Sequence, residues 1–354
     1  MIRRVIVPVI RRVSGAAALL VATSCSAIVA SSASADDFYK GRTLQIIVGY
    51  GPGGGFDTRA RILARHIGKH IPGNPSVVVL NKSGAGGLVA ANYVANVSAP
   101  DGLTMASSTG DLPLMQAIGG SGIELDVRTV NWIGGIFKTT LVCTVMGFTG
   151  VRSWDEIVET KRTIQMGASR KTSNQAIVPL MMGERSGADF KLVVGFQGTA
   201  PIRIALERKE LDGACWNWDS MKVIAGSMLS TEGDLRLIPF AQSRLFPDPQ
   251  LENIPLIEDL IPDPDMRAAY QLYKISDEMP GPYLMRLDVP NDRVETIRRA
   301  LKETLDDPQF LADAKRSGLD FEYVSPDEIQ QYIKRVFSAS HQSKKILSAL
   351  TGTK

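Results

Sequence analysis

The sequence is poor in the residues that build disulfide scaffolds and metal sites. It has three cysteines and three histidines in 354 residues, and aromatic residues make up only 6%. So few cysteines exclude a disulfide-rich secreted fold. Cys143 and Cys215 both lie in apolar strand patterns. We therefore expect buried thiols, although an oxidising compartment would also let the two cysteines pair.

The sequence also contains no histidine-based metal motif and none of the common catalytic motifs considered below. His66 and His70 are spaced to share a helix face, but no third histidine or cysteine lies nearby and the glutamate of the zinc-protease motif is missing. A solvated helix face is the simpler interpretation. The sequence also has no Gly-x-Ser-x-Gly elbow for a nucleophilic serine. It therefore predicts no metal, no cofactor and no enzyme activity.

The excess of positive charge is confined to the N-terminus. The chain has 40 basic and 37 acidic residues, but residues 1–35 hold four arginines and no acid, which leaves 36 against 37. This balance gives no general case for nucleic-acid binding. The arginines, the apolar run Ala16–Ala30 and the sequence Ala33-Ser34-Ala35 predict a signal peptide, cleaved near Ala35. A membrane anchor would need about 20 strongly apolar residues, so we expect export to the periplasm.

Strand and helix patterns alternate from residue 44 to residue 242. This order predicts an α/β fold, with parallel sheets that are covered by helices. We predict one domain from residues 36–139 and 243–354, in which three C-terminal helices return onto the first sheet. A middle domain would comprise residues 140–242. Two such domains form a cleft, and ligands bind at the carboxyl ends of the strands.

A glycine-rich turn joins the first predicted strand, Leu44–Gly49, to the first helix, Asp57–Ile71. The run Gly53–Gly55 leaves backbone N–H groups bare at the positive end of that helix, which is typical of an anion site. A nucleotide site is disfavoured, because the second strand ends in Asn81 instead of an acid. The lysine of a P-loop is also missing after the glycines.

Similar loops recur at the ends of later strands. Asn81–Gly87 and Ser107–Gly110 would lie on the same sheet edge as the first glycine run. In the middle domain, Gly167–Asn174 again joins a strand to a helix, and there Arg170 or Lys171 could add positive charge or remain solvated. Loops rich in backbone N–H and hydroxyl groups predict a site for a carboxylate or another oxyanion.

Two tryptophans stand at the end of a later strand. Trp216 and Trp218 could form the wall of a pocket for a flat ligand, or they could pack in the core.

Three motifs follow one another in a specific order: Gly49–Asp57, Asn81–Gly87 and Pro100–Thr104. In this combination they resemble the substrate-binding proteins of tripartite tricarboxylate transporters, often called the Bug family. Looser matches at Phe196-Gln197-Gly198 and Gly318–Glu328 extend the resemblance over nearly the whole mature chain. Phe196 and Gln197 stand where the family has Tyr and Lys, which removes a hydroxyl and a charge and leaves the substrate open.

The resemblance implies a two-domain receptor of the periplasmic-binding-protein type, a Venus flytrap with its ligand cleft between the domains. Carried over position by position, it implies that backbone amides and side chains of the following residues hold the carboxylate: Gly53, Gly54, Gly55, Asp57, Gly84, Ala85, Gly86, Ser107, Ser169 and Asn174. We add Phe196 and Trp216 as candidate ligand contacts from the middle domain.

We therefore expect an exported, monomeric receptor that captures a di- or tricarboxylate or an aromatic carboxylate and delivers it to the permease subunits of a membrane transporter. Two alternatives stay open. One is an exported enzyme that acts on a carboxylate in the same cleft, for which Asp57 is the obvious acid or base. The other is a receptor that reports to a signalling protein.

Overall fold

The computed structural model describes residues 38–138, 140–245, 248–279 and 281–352. The predicted signal peptide, residues 1–35, lies outside these ranges. Among the described residues, no helix has both the length and the apolar character that crossing a membrane requires.

The first sheet has five strands: β1 (Thr43–Val48), β2 (Ser76–Asn81), β3 (Thr104–Ser107), β4 (Asn131–Gly135) and β10 (Pro282–Met285). Their order across the sheet is β2-β1-β3-β10-β4. Strands β2, β1 and β3 are parallel, whereas β10 runs antiparallel to both of its neighbours. In β1, Ile46, Ile47 and Val48 are all buried, because helices cover both faces of the sheet.

The second sheet also has five strands: β5 (Leu141–Met146), β6 (Thr163–Ala168), β7 (Asp189–Val194), β8 (Gly213–Asn217) and β9 (Leu237–Gln242). Their order is β7-β6-β8-β5-β9. Strands β7, β6 and β8 are parallel, and β5 is antiparallel to β8 and β9. The two sheets confirm the predicted α/β fold class.

Helices flank both sheets. Those that follow strands of the first sheet are α1 (Gly55–Ile67), α2 (Leu88–Asn96) and α3 (Leu112–Ala117). Those of the second sheet are α4 (Trp154–Thr160), α5 (Asn174–Gly183), α6 (Thr199–Glu207), α7 (Trp218–Ala225) and α8 (Ser227–Ser230). The C-terminal part contains α9 (Pro264–Lys274), α10 (Asn291–Asp306), α11 (Pro308–Ser317), α12 (Pro326–Ser338) and α13 (His341–Thr351).

The molecule has two halves, the first built around the first sheet and the second around the second sheet. The C-terminal helices are divided between them. Helices α10, α11 and α12 contribute to the hydrophobic cores that contain the first sheet. Helices α9 and α13 instead pack on the second sheet, where Tyr270 and Leu347 are fully buried in one cluster with Ile177 of α5. Their apolar faces find cover there, so the C-terminal segment is shared between the halves instead of belonging to the first alone.

The two cysteines are bonded to each other. Cys143 of β5 and Cys215 of β8 are directly opposed in the antiparallel register and form a disulfide. Our expectation of two separate buried thiols is wrong, because it weighed the apolar pattern of each strand but could not show that the strands are neighbours. Both residues are fully buried in the core of the second half.

Candidate functional site

A cavity of about 80 Å³, partly open to solvent, lies between the two halves of the molecule. From the first half it is lined by Tyr50, Gly54, Gly55, Phe56, Thr109, Gly110 and Asp111. From the second half it is lined by Ser169, Ser173, Asn174, Gln175, Gly198, Thr199, Asn217 and Ser220, and the α9 segment adds Tyr273, Ser276 and Asp277. No lysine, arginine or histidine is among these described lining residues.

Four helices of eight or more residues begin at this cavity, and the six-residue α3 also begins there, directly after Asp111. Their N-cap residues Gly54, Ser173, Gly198 and Asn217, which precede α1, α5, α6 and α7, all line it. None of these four side chains accepts a hydrogen bond from the first turn of its own helix. Helix N-termini carry partial positive charge and unpaired N–H groups. These helix N-termini therefore add positive potential to the cavity although no basic side chain lines it.

Asp57 holds the first glycine loop in shape. Its Oδ2 accepts hydrogen bonds from the Gly53 amide and from Arg61 Nε, both at 2.9 Å, and its Oδ1 accepts one from Asn81 at 2.8 Å. Burial opposes ionisation, but the hydrogen bonds from Arg61, Gly53 and Asn81 outweigh it and lower the pKa of Asp57. Both carboxylate oxygens are engaged within the protein, so Asp57 supports the loop and is not one of the cavity-lining groups.

The second glycine loop binds an arginine of the opposite half. Gly84, Ala85, Gly86 and Gly87 all have positive φ, and the turn presents its carbonyl groups. The carbonyl oxygens of Ala85 and Gly86 accept hydrogen bonds from Arg170. Tyr50 donates to the Gly86 carbonyl at 3.0 Å. This loop therefore recognises a guanidinium group, whereas the sequence suggested amides that face an anion.

Arg170 is buried and its charge is balanced by the first half. Its Nη2 lies 2.7 Å from Oδ1 and 2.5 Å from Oδ2 of Asp111, and Nε donates to Thr172 at 2.8 Å. Burial would lower the pKa of Arg170, but Asp111 more than offsets it and the pKa is raised. The guanidinium thus joins the two halves and is not available to a ligand. Lys171 is exposed.

A second arginine spans the cleft in the opposite direction. Arg59 of α1 is fully buried, forms an ion pair with Asp219 of α7 and donates to Ser220 Oγ at 2.9 Å. Its guanidinium also stacks over Phe137, 3.9 Å from the ring centroid. Burial lowers the pKa of Arg59 to about 9, which still leaves it protonated at neutral pH. Two buried arginines therefore tie the halves together on the two sides of the cavity.

The backbone also crosses the cleft next to these ion pairs. The Gly51 amide donates to the Gln197 carbonyl at 2.7 Å, and the Ser83 hydroxyl donates to the Gln197 side chain at 3.1 Å. Since each of these bonds joins one half to the other, the structure represents a closed arrangement.

Three polar atoms of the cavity lining have no hydrogen-bond partner among the described residues: Oγ1 of Thr199, Oη of Tyr273 and Oδ2 of Asp277. Buried polar groups of native proteins are nearly always paired, so these atoms mark where a ligand would contact the protein. Burial raises the pKa of Tyr273 well above its usual range, and it raises the pKa of Asp277 to about 7.

The predicted site residues fall into two groups. Four of them line the cavity: Gly54, Gly55, Ser169 and Asn174. Five others shape the loops behind it: Gly53, Asp57, Gly84, Ala85 and Gly86. Ser107 is buried at the end of β3, paired in register with Tyr283 of β10, and does not line the cavity.

The two aromatic candidates of the middle domain lie away from the cavity. Trp216 is 1% exposed and packs in a core cluster, where its indole N–H donates to Thr144 at 3.0 Å. Strand β8 alternates its side chains, which places Trp216 on the face toward the α6 and α7 core. Phe196 packs against the same cluster. Trp218 donates to Asp248. The aromatic rings that do line the cavity are Tyr50, Phe56 and Tyr273.

Several lining residues carry no signal in the sequence. Tyr273, Ser276 and Asp277 belong to a stretch without a motif, and Ser220 and Asp111 lie inside or next to helices. Gly198 and Asn217 could have been found, because both precede a helix and follow a strand, as the predicted loop residues do. The rest reach the cavity only through long-range packing.

His66 of α1 and His70 of the 3-10 turn that follows it, Gly68–His70, both contact acidic side chains. His66 Nε2 lies 3.0 Å from Asp313, and His70 Nε2 lies 2.9 Å from Asp307. The described residues contain no group of three or more histidine, cysteine or acidic side chains placed to hold a metal ion. These contacts fasten α11 to α1.

Two sheets, a chain that crosses between them and a cavity at the junction give the molecule the fold of the two-domain periplasmic binding proteins. The structure of the periplasmic binding protein BugD superposes with a TM-score of 0.70 at 20% identity, over 89% of this chain and 99% of that one. MatC from Rhodopseudomonas palustris, solved with bound malate, gives 0.66 at 17% identity, over 86% and 99%. The predicted fold class is confirmed.

Sequence comparison points to the same group of proteins. The chain is 43% identical to Protein BugT of Bordetella pertussis over 86 residues, which is 24% of this chain and 25% of that protein. It thus spans about a quarter of the length of the curated relatives that it matches. No family model matches the chain. The resemblance to Bug-type solute-binding proteins is confirmed, and the neighbours named here are binding proteins and not enzymes.

Proposed function

We propose that the protein is a periplasmic receptor that binds a small organic carboxylate in the cavity between its halves and delivers it to the permease subunits of a membrane transporter. The observation that carries this proposal is the convergence of four helix N-termini on one cavity. Each N-terminus favours an anion by about 0.3–1 kcal/mol, and more when it is partly buried. Four together favour a carboxylate strongly over a neutral ligand of the same shape.

Recognition by backbone amides fits the rest of the lining. The two arginines nearest the cavity, Arg59 and Arg170, are already paired with Asp219 and Asp111. A ligand carboxylate would therefore be held by the N–H groups of the first helical turns and by hydroxyls such as Thr199 Oγ1. The malate in the structure of MatC is a ligand of this chemistry.

Location and partners follow from the same proposal. The predicted signal peptide and the periplasmic assignment of BugD support export. The receptor would act as a monomer, since one chain supplies both halves of the cavity. No nucleic acid, metal or cofactor enters this function.

A thermal-shift screen of the mature protein against malate, succinate, adipate, citrate and benzoate tests the proposal. A binding acid raises the melting temperature in proportion to the logarithm of its concentration. Thr199→Val keeps the shape of the side chain but removes a hydrogen bond to a charged group, worth about 1.5–3 kcal/mol. It should weaken binding by about ten- to a hundredfold.

Thr231→Val is the matched control, because Thr231 is exposed and lies outside the cavity. Its affinity should equal that of the wild type. If no organic acid stabilises the wild-type protein, or if both valine variants bind as the wild type does, the cavity is not a carboxylate site.

A further inference from the structure

Asp277 is an acid in the cavity that lacks a counter-charge of its own. It lies in the 3-10 turn Ile275–Glu278 directly after α9, lines the cavity and is only 4% exposed. None of the described residues hydrogen-bonds to its Oδ2. Burying an ionised carboxylate without a partner is costly, so such a group either stays protonated or meets a partner that arrives with the ligand.

The charged neighbours of Asp277 are engaged elsewhere. Lys274 on α9 forms an ion pair with Glu258 at 2.8 Å. Arg170 neutralises Asp111 on the far side of the cavity. The groups whose interactions change the pKa of Asp277, after burial itself, are Asn174, Lys274, Asp111 and Glu278. The first two lower the pKa and the last two raise it, and burial dominates, which brings the pKa to about 7.

The cavity therefore has two kinds of electrostatic environment. The N-termini of α1, α5, α6 and α7 favour negative charge. Asp277, whose Oδ2 has no hydrogen-bond partner among the described residues, favours a hydrogen-bond donor that carries positive charge. Since no described lining residue is basic, a positive group could reach Asp277 only as part of the ligand. A ligand with a carboxylate and an ammonium group would satisfy both environments at once.

Building on the proposed function, we propose that Asp277 binds a protonated amine, and that the ligand class is small amino carboxylates in preference to simple di- or tricarboxylates. Asp277 would be a specificity-determining residue. It must be ionised to act in this way. With its pKa near 7, the ionised fraction rises about tenfold between pH 6 and pH 8, and the affinity for an amine-bearing ligand should rise by about the same factor.

Matched pairs of ligands test this directly by titration calorimetry: alanine against propionate, and glutamate against glutarate. Within a pair only the amine differs. We expect the amino acid to bind at least tenfold more tightly than its partner at pH 8, and its affinity to fall about tenfold at pH 6. Asp277→Asn should abolish that preference, whereas Asp265→Asn, on the exposed side of α9, should leave it unchanged.

The opposite pattern would overturn the proposal. Tighter binding of propionate or glutarate, weakening as the pH rises, would mean that protonated Asp277 donates to a carboxylate. The pH series on the wild-type protein gives this answer even if Asp277→Asn fails to fold. If the wild-type protein binds neither member of either pair nor any acid of the thermal-shift screen, the proposed function fails as a whole. If acids without an amine bind and the amino acids do not, the contact between Asp277 and an amine is refuted, but the proposed carboxylate receptor is not.

Discussion

Gly55 stands where α1 of the first half meets α7 of the second. A Cβ atom at this position would lie 2.6 Å from Cβ of Ser220, and its Oγ would be closer still. Carbon atoms pack best at about 3.5–4.0 Å. Gly55 is part of α1 and does not have a positive φ, so alanine suits its own backbone. Gly55→Ala should therefore leave each half intact and prevent the two halves from closing fully.

The magnitude follows from the size of the overlap. One extra methyl group in a tight contact typically costs about 1–3 kcal/mol. Here the cost falls on the closed arrangement alone, since Ser220 belongs to the other half. It lowers the fraction of protein that can bind, so the apparent Kd should rise about 5- to 150-fold. The melting temperature without ligand should fall by no more than this cost, because replacing glycine in a helix is favourable in itself.

A double-mutant cycle isolates the overlap. Ser220→Gly removes the two atoms that Gly55→Ala would meet, after which the nearest remaining atom is Arg59 Nη1 at 3.4 Å. We expect Gly55→Ala to weaken binding in the wild-type background and to have almost no further effect in the Ser220→Gly background. Titration calorimetry with the tightest acid of the screen gives the affinities, and small-angle scattering follows closure. Equal losses in both backgrounds would refute the reasoning.

Three other perturbations give measurable outcomes. Arg170→Ala leaves the buried Asp111 carboxylate without its ion-pair partner and should lower the free energy of unfolding, measured in urea, by about 3–5 kcal/mol. The double variant with Asp111→Asn should recover most of the lost stability. A loss of stability below 1 kcal/mol in Arg170→Ala would contradict the ion pair. The Cys143–Cys215 disulfide closes a loop of sequence separation 72, so its reduction should lower the free energy of unfolding by about 4 kcal/mol. If a reductant leaves the melting temperature unchanged, the two cysteines are free thiols and the disulfide is absent. Hydrogen bonds from a histidine and an arginine of α1 lower the pKa of Asp313 to about 2. The stability that these hydrogen bonds give the protein is present above the ordinary aspartate pKa of about 3.9 and is lost as the pH falls toward about 2. In Asp313→Asn, the melting temperature should therefore depend less on pH in this acidic range.

Local patterns predicted most of the fold. The strands β1 to β9 follow from short apolar runs, and the α/β class follows from the alternation of strand and helix patterns. Strand β10 was not predicted. It comprises only Pro282–Met285, yet it lies between β3 and β4 and pairs with residues far away in sequence. Its place in the sheet depends on pairings with distant residues, which sequence alone does not show.

The site was predictable where the chemistry is local. Gly54, Gly55, Ser169 and Asn174 were predicted because a loop between a strand and a helix leaves N–H groups bare, and these four residues line the cavity. Their contact with a ligand stays a prediction. Trp216 was predicted to contact the ligand but lies in the core. A strand presents alternate residues to opposite faces, and the sequence does not show which face borders the cleft. Asp277 was missed because nothing around it differs from an ordinary polar turn until α9 brings it to the cavity.

In this cleft, the groups that hold the two halves together differ from the groups that are free to bind a ligand. Arg59 and Arg170 supply strong, buried ion pairs across the cleft, and both are already satisfied by Asp219 and Asp111. A ligand carboxylate that had to displace one of these acids would leave an unpaired buried charge, at a cost of several kcal/mol. Helix N-termini avoid that conflict, because their N–H groups can bind an anion while the arginines keep the halves together. Ligand selectivity in this cavity should therefore depend on the polar groups that have no protein partner, Thr199, Tyr273 and Asp277, and not on the arginines beside it.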